Sequence, residues 1–182
     1  MLKSKIRKKI LKIRENKNNG KIYIKFSKIF NLIKKKTKLN KKIIGGYYPV
    51  NYEVDDLRIL KEFEKKKMKI SLPIIRKNFK MNFIECSSDN IFTINKFGIP
   101  EPTEGKVVYP DVLLVPLVAF DRYLNRLGYG AGFYDRLINF LKKRKKITTI
   151  GLAFDFQEVS LIPVSKYDQK LDYIVTNKKV LK

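Results

Sequence analysis

Residues 111–136 read DVLLVPLVAFDRYLNRLGYGAGFYDR. From Val112 to Phe120 the run is apolar throughout, the pattern of a strand covered on both faces. FYDRLINFLKKRKK (133–146) has helical spacing. Between the two lie three glycines at alternate positions, Gly128, Gly130 and Gly132. A strand, a glycine loop and a helix in that order offer free backbone N–H groups and the positive end of a helix dipole to a phosphate. Without a Cβ, glycine lets an anion approach the backbone closely. The loop is neither G-x-x-x-x-G-K-[ST] nor a dinucleotide-binding fingerprint. The same glycines could form an ordinary tight turn, and the strand and helix on either side favour the phosphate cradle. Asp135, in the first turn of the helix, has two readings. It could stabilise the helix dipole, or it could be a hard oxygen ligand for Mg²⁺ beside phosphates.

Outward from this stretch, strands and helices alternate. LKSKIRKKILKIRE (2–15) places Leu2, Ile6, Ile10 and Ile13 at helical spacing, and Asn18, Asn19 and Gly20 stop that helix. KIYIKFSKIFNLIKKK (21–36) alternates at its start, but Ile22, Phe26, Ile29, Phe30 and Ile33 fit a helix. KIIGGYYP (42–49) reads as a buried strand, VDDLRILKEFEKK (54–66) as an amphipathic helix with acids in its first turn, and KISLPII (69–75) as a second strand. MNFIECS (81–87) and NIFTINKF (90–97) read as a hairpin turning at Ser88 and Asp89, with a loop, GIPEPTEGK, over 98–106. ITTIGLAF (147–154) and DYIVT (172–176) are further strands. With no repeat and no linker, residues 1–182 are expected to form a single domain of α/β layers around a mainly parallel sheet.

Composition narrows the chemistry. The 44% hydrophobic content supports a packed core rather than disorder. Cys86 is the one cysteine, so no internal disulfide can form, and a reducing, cytoplasmic setting is expected. No apolar run approaches membrane-spanning length. Lys+Arg is 41 against 17 Asp+Glu, a net charge of +24. That balance attracts anions of any kind, including nucleic acid. The lysines are scattered and no nucleic-acid-binding motif accompanies them, so no dedicated nucleic-acid partner is expected. Histidine is absent, which removes the usual general base and the commonest metal ligand. Residues 1–14 resemble a transit peptide in charge, but they are poor in serine and have a second use. At 100° per residue Lys3, Arg7 and Arg14 share one side of the helix beside the apolar stripe, whereas Lys5, Lys8, Lys9 and Lys12 spread over the other. The first set could turn inward toward an anion.

The stretch LLVPLVAFDRYLNRLGYGAGFYDR (113–136) resembles the 5-formyltetrahydrofolate cyclo-ligase family: an apolar strand, a Phe-Asp pair, Arg-Leu-Gly-x-Gly, then Gly-[Phe/Tyr]-Tyr-Asp. Weaker matches follow in order along nearly the whole chain. They are Lys3-x-x-Ile6-Arg7, Tyr48-Pro49 with Glu53, Leu72-Pro73, Glu101-Pro102, Phe154 with Gln157, and Pro163-Val164 through Asp168 and Leu171-Asp172 to Thr176. The resemblance implies a three-layer α/β/α fold with a mainly parallel, Rossmann-like central sheet. It also implies a monomer that uses ATP and Mg²⁺ to convert 5-formyltetrahydrofolate, with or without a polyglutamate tail, to 5,10-methenyltetrahydrofolate. In that reaction the formyl oxygen attacks the γ-phosphate, N10 closes the ring, and phosphate departs. Positioning and charge neutralisation carry such a step, so an enzyme without histidine can perform it.

Residue roles follow from the same resemblance. Lys3 and Arg7 would contact ATP phosphates. Arg126, Leu127, Gly128, Tyr129, Gly130, Ala131, Gly132, Phe133 and Tyr134 would form the nucleotide loop, with Arg126 and Tyr134 acting on the reacting groups. Tyr48 and Glu53 would contact folate, and Tyr129 and Tyr134 would line the wall between folate and phosphate. Asp135 and Asp168 would hold Mg²⁺. By their local sequence alone, Asp168 also reads as a turn residue and Glu53 as a helix-start acid. Two positions depart from the family pattern. Leu124 stands where glycine is usual, and a positive φ there would strain it or force the turn to rebuild. Ala131 stands where glycine or lysine is usual, so other cations must supply any charge a lysine would have brought. The same fold with a different acyl substrate, and a basic nucleic-acid-binding protein, are the competing functions.

Overall fold

The apolar run becomes β7 (Val112–Pro116), a central strand of an eight-stranded sheet. The computed structural model describes residues 2–17, 22–35, 42–77, 80–87 and 90–182. Before β7 come α1 (Lys3–Lys17), α2 (Phe26–Lys34), β1 (Ile43–Gly45), α3 (Leu57–Lys65), β2 (Lys69–Ile75), β3 (Met81–Cys86), β4 (Phe92–Ile94), β5 (Pro100–Pro102) and β6 (Val107–Val108). After it come β8 (Ala119–Phe120), β9 (Arg126–Leu127), α4 (Phe133–Lys142), β10 (Thr148–Ala153), a 3₁₀ turn (Asp155–Gln157), β11 (Tyr173–Thr176) and β12 (Val180–Leu181).

The sheet order is β12-β11-β10-β7-β1-β2-β3-β6. From β11 through β2 neighbouring strands run parallel. β12 pairs antiparallel with β11, and β3 antiparallel with both β2 and β6. Alternate residues of β7 enter different cores. Val112 and Leu114 pack with α2 and α3 through Ile29, Ile33, Leu60 and Phe63. Leu113 and Val115 pack with α4 through Leu137, Ile138 and Leu141. Helices on both faces explain why the strand has no polar side, and they make the expected three layers. α1 lies apart, its Ile6 and Ile10 packed on Val118, Ala119, Leu127 and Ile162.

The expected elements change in four places. The run 111–120 is two strands, because Pro116 has no N–H to continue the ladder. Beyond it the chain leaves the large sheet, Val118 N–H donates to Leu127 O, and β8 pairs with β9. The expected 81–97 hairpin does not form, and its turn residues Ser88 and Asp89 lie outside the described residues. β3, with Phe83 and Ile84 buried, pairs instead with the equally apolar β2. β4 has no buried residue and pairs with β5, inside the supposed 98–106 loop. Asn95 Oδ1 shapes the turn between them by accepting the Phe97 and Ile99 N–H groups. Finally, residues 22–25 have no regular secondary structure before α2, and α4 stops at Lys142. The residues expected to stop α1, Asn18 to Gly20, lie outside the described residues. No described helix is long and apolar enough to cross a membrane.

Candidate active site

One cleft of about 1190 Å³ lies beyond the carboxyl ends of β1, β2 and β7. α3 follows β1 on one face of the sheet and α4 follows β7 on the other. The winding therefore reverses between β1 and β7, the place where an open α/β sheet leaves a crevice for ligands. Every residue assigned a role by its sequence borders this cleft: Lys3 and Arg7 from α1, Tyr48 and Glu53 after β1, Arg126 through Asp135, and Asp168.

Buried carboxylates shape the two loops. After β1, Asp56 Oδ2 accepts the Tyr47 N–H at 2.8 Å. After β8, Asp121 is fully buried. Its Oδ1 accepts the Tyr123 and Asn125 N–H groups, and its Oδ2 accepts Asn125 Nδ2 and the Ile162 N–H. That clasp holds Leu124 at φ 67°, so the turn keeps its positive φ and is not rebuilt. The Leu124 side chain is buried beside α4 in the same core as Phe120 and Leu137.

The glycine loop runs from β9 into α4. Gly130 has φ 114° and Gly132, at the helix N-cap, φ 69°. Arg7 lies against this loop: its Nε donates to Gly128 O at 2.7 Å, and a Cβ on Gly130 would sit 3.4 Å from its guanidinium. Arg136 Nη2 donates to Ala131 O, so a cation from α4 stands beside the position that lacks lysine. Arg126 Nη2 pairs with Asp135 Oδ1 at 2.6 Å and its guanidinium faces the Tyr134 ring. Burial lowers the pKa of Arg126 from its ordinary value, with Asp135 opposing. Lys3 Nζ pairs with Asp168 Oδ2 at 2.5 Å, and the same oxygen accepts the Ser165 N–H. Asp168 is thus a turn residue as well as part of the cleft. Partial burial would raise its pKa, but Lys3 and Ser165 outweigh that and hold it below the usual carboxylate value.

On the opposite wall Glu53 is buried, with Oε2 accepting the Val50 N–H and Oε1 without a direct hydrogen-bond partner among the described residues. Burial pushes its pKa from 4.5 up to about 7, against the pull of the Val50 N–H, the Arg14 charge and the Tyr129 hydroxyl. Glu53 precedes α3 by several residues, so it is not a helix-start acid. Arg14 has no exposed surface. It donates to Leu117 O at 3.2 Å and to the Tyr129 hydroxyl at 2.5 Å. The Tyr134 hydroxyl is buried without a hydrogen-bond partner among the described residues.

Among the described residues no cluster of three or more His, Cys, Asp or Glu side chains could cage a metal. Two carboxylates are nevertheless what a phosphate-bound Mg²⁺ ordinarily takes from a protein. Asp135 and Asp168 supply two such carboxylates to one cleft, each now paired with a cation, Arg126 or Lys3, that a bound metal would displace. Sequence reasoning missed several lining residues. Asn95 and Phe97 arrive on the β4–β5 turn, hidden by the misassigned hairpin. Gln169, whose N–H donates to Asp135 Oδ1, carries no side-chain signal at all. Arg14 did carry one, its place on the inward stripe of α1, but it reaches a tyrosine rather than an anion.

Comparison with known proteins places the chain in a family. The model of the 5-formyltetrahydrofolate cyclo-ligase family matches residues 1–177. The 5-formyltetrahydrofolate cyclo-ligase of Escherichia coli (strain K12) is 33% identical over 135 residues, covering 70% of this chain and 74% of that protein. The Haemophilus influenzae enzyme of the same name is 32% identical over 148 residues, covering 78% and 77%. The NMR structure of Aquifex aeolicus 5,10-methenyltetrahydrofolate synthetase superposes with a TM-score of 0.80 at 33% identity, over 100% of this chain and 93% of that one. Matched along nearly its whole length and in its fold, the chain belongs to the 5-formyltetrahydrofolate cyclo-ligase family.

Proposed function

We infer that this protein converts 5-formyltetrahydrofolate to 5,10-methenyltetrahydrofolate at the expense of ATP, releasing ADP and phosphate. The observation that carries this reading is the gathering of an anion-binding wall and a carboxylate-bearing wall on one cleft at the sheet's switch point. Backbone N–H groups of the glycine loop, with Lys3, Arg7 and Arg126, bind the triphosphate and offset its charge. Tyr48 and Glu53 contact the folate, and Tyr129 and Tyr134 line the wall between it and the phosphates, so that the formyl oxygen meets the γ-phosphate in line. Phosphorylation turns that oxygen into a leaving group, and N10 then replaces it. Asp135 and Asp168 would hold Mg²⁺, which when bound neutralises charge on the phosphoryl oxygens. Purified protein supplied with 5-formyltetrahydrofolate, ATP and Mg²⁺ should develop the absorbance of the methenyl product. Folded protein giving no ATP-dependent signal overturns the reading. Asp135→Asn should lose most turnover; full activity in that variant removes Asp135 from the metal site.

A further inference from the structure

Ring closure releases a proton, and the chain has no histidine to take it. N10 carries a hydrogen in the substrate and none in the product. Its lone pair forms the bond to the formyl carbon, the N–H electrons return to nitrogen as the proton leaves, and the C–O bond breaks with its pair going to phosphate. Something at the cleft must accept that proton while the new bond forms.

Resting on the function just inferred, we propose that Glu53 is the proton acceptor for N10, served by the buried Arg14 guanidinium that Tyr129 holds. Three acids line the cleft: Glu53, Asp135 and Asp168. Asp135 is bound to Arg126 and Asp168 to Lys3, so both carboxylates are already committed to a cation. Glu53 forms no ion pair among the described residues, and its Oε1 is buried with no direct hydrogen-bond partner among them. An unpartnered buried oxygen is costly unless a ligand completes it. The N–H of a bound substrate would do so, and would hand over its proton along the same contact.

Arg14 completes the arrangement. Its guanidinium is fully buried, yet it has no carboxylate within ion-pair distance among the described residues, and its Nε is unpartnered. Such a charge is expensive to bury for packing alone. It is held by Leu117 O and by the Tyr129 hydroxyl, with the Tyr129 ring 5.8 Å away. Both Arg14 and Tyr129 favour the ionised form of Glu53. The other titratable groups that sense the Glu53 charge are Tyr47, Asp56 and Tyr134. Burial pushes all three of these up, so the two tyrosines stay neutral and Asp56 is held toward its neutral form, while Arg14 is the cation that acts on Glu53. The resulting acidity, about 7, suits a group that must be ionised at neutral pH yet still bind a proton. Glu53 gives the proton to water as the products leave.

The test separates binding from proton transfer. In wild type the turnover number should fall on the acid side with a midpoint near 7. Glu53→Gln should still bind 5-formyltetrahydrofolate within severalfold and release ADP in a first turnover, while methenyl formation slows by about a hundredfold or more. Arg14→Met should move the acid limb of the profile upward by roughly one pH unit, as loss of a neighbouring cation does, and Arg14→Lys should restore it. If Arg14→Met does not fold, Tyr129→Phe removes one of the same two supports without changing the ring, and should shift the limb in the same direction. Active wild type together with ring closure at the normal rate in Glu53→Gln overturns the assignment. So does an acid limb that none of these substitutions moves. Wild type that makes no methenyl product overturns the inferred function itself.

Discussion

Leu124 shows how one residue can carry strain without reshaping a site. A left-handed backbone costs an L-residue roughly 1–2 kcal/mol, and Leu124 sits at φ 67°. Its side chain is 8% exposed and packed in the core beside α4, where truncating a leucine costs about 2–5 kcal/mol. Leu124→Gly should therefore destabilise the protein by about 1–3 kcal/mol in urea unfolding, despite relieving the backbone. A variant as stable as wild type would show that the strain outweighs the packing. Glu53 raises a pH-dependent counterpart. Its folded pKa, about 7, lies above its ordinary 4.5, so the native state binds the proton more tightly than the unfolded chain. The stability this gives is fully present below 4.5 and lost as pH rises through 7. Glu53→Gln cannot ionise. Relative to wild type, it should gain up to about 3 kcal/mol between the bottom and the top of that window. Parallel pH–stability curves for the two proteins would contradict the buried, ionising carboxylate. A residue that weakens the fold at working pH is consistent with selection for chemistry rather than packing.

At the scale of elements, legibility followed the physics that each pattern reports. β7, α3 and α4 were readable because burial on one or two faces writes itself into apolar spacing. β4 and β5 were not, since a ladder with little buried surface leaves no such trace, and its pairing depends on Asn95 and on which strand β3 prefers. The site was legible where it is contiguous, from Arg126 to Asp135, and where a helix phase could be computed, at Lys3 and Arg7. What could not be read was pairing across the fold: Lys3 with Asp168, Arg126 with Asp135, Arg14 with Tyr129. These join residues from separate elements, and no local period encodes them. The loop's dependence on glycine is testable at Gly130, whose φ of 114° is one that L side chains rarely adopt and whose added Cβ would meet Arg7 only at ordinary contact distance, 3.4 Å, so the strain is in the backbone. Gly130→Ala should raise KM for ATP by about tenfold or more, since misplacing a cradle by an ångström costs that much, with a smaller effect on KM for folate. Equal effects on both substrates would mean that the loop does not serve the nucleotide specifically.

Over the whole molecule, the net charge of +24 acts at a distance that no single contact does. The outward lysines of α1, Lys5, Lys8, Lys9 and Lys12, are exposed, whereas Lys3, Arg7 and Arg14 are turned toward the protein. One helix thus divides its cations between solvent and cleft. The solvent set cannot position a substrate, but its field can draw one in, because ATP and a folate with a glutamate tail are both anions. Salt separates the two contributions. From about 0.01 M to about 0.15 M ionic strength the screening length shrinks from roughly 30 Å to about 8 Å. Long-range attraction is then largely lost, while ion pairs inside the cleft are screened much less. The value of kcat/KM for ATP should fall by about tenfold over this range, as expected for steered association, and kcat should change little. Oligonucleotide, a competitor for the same field, should inhibit at the low end and release at the high end, because its binding rests on the phosphate backbone alone. A kcat/KM that ignores salt would confine the charge to solubility. Oligonucleotide binding that survives physiological salt and exceeds the affinity for ATP would mean that the surface charge serves nucleic acid.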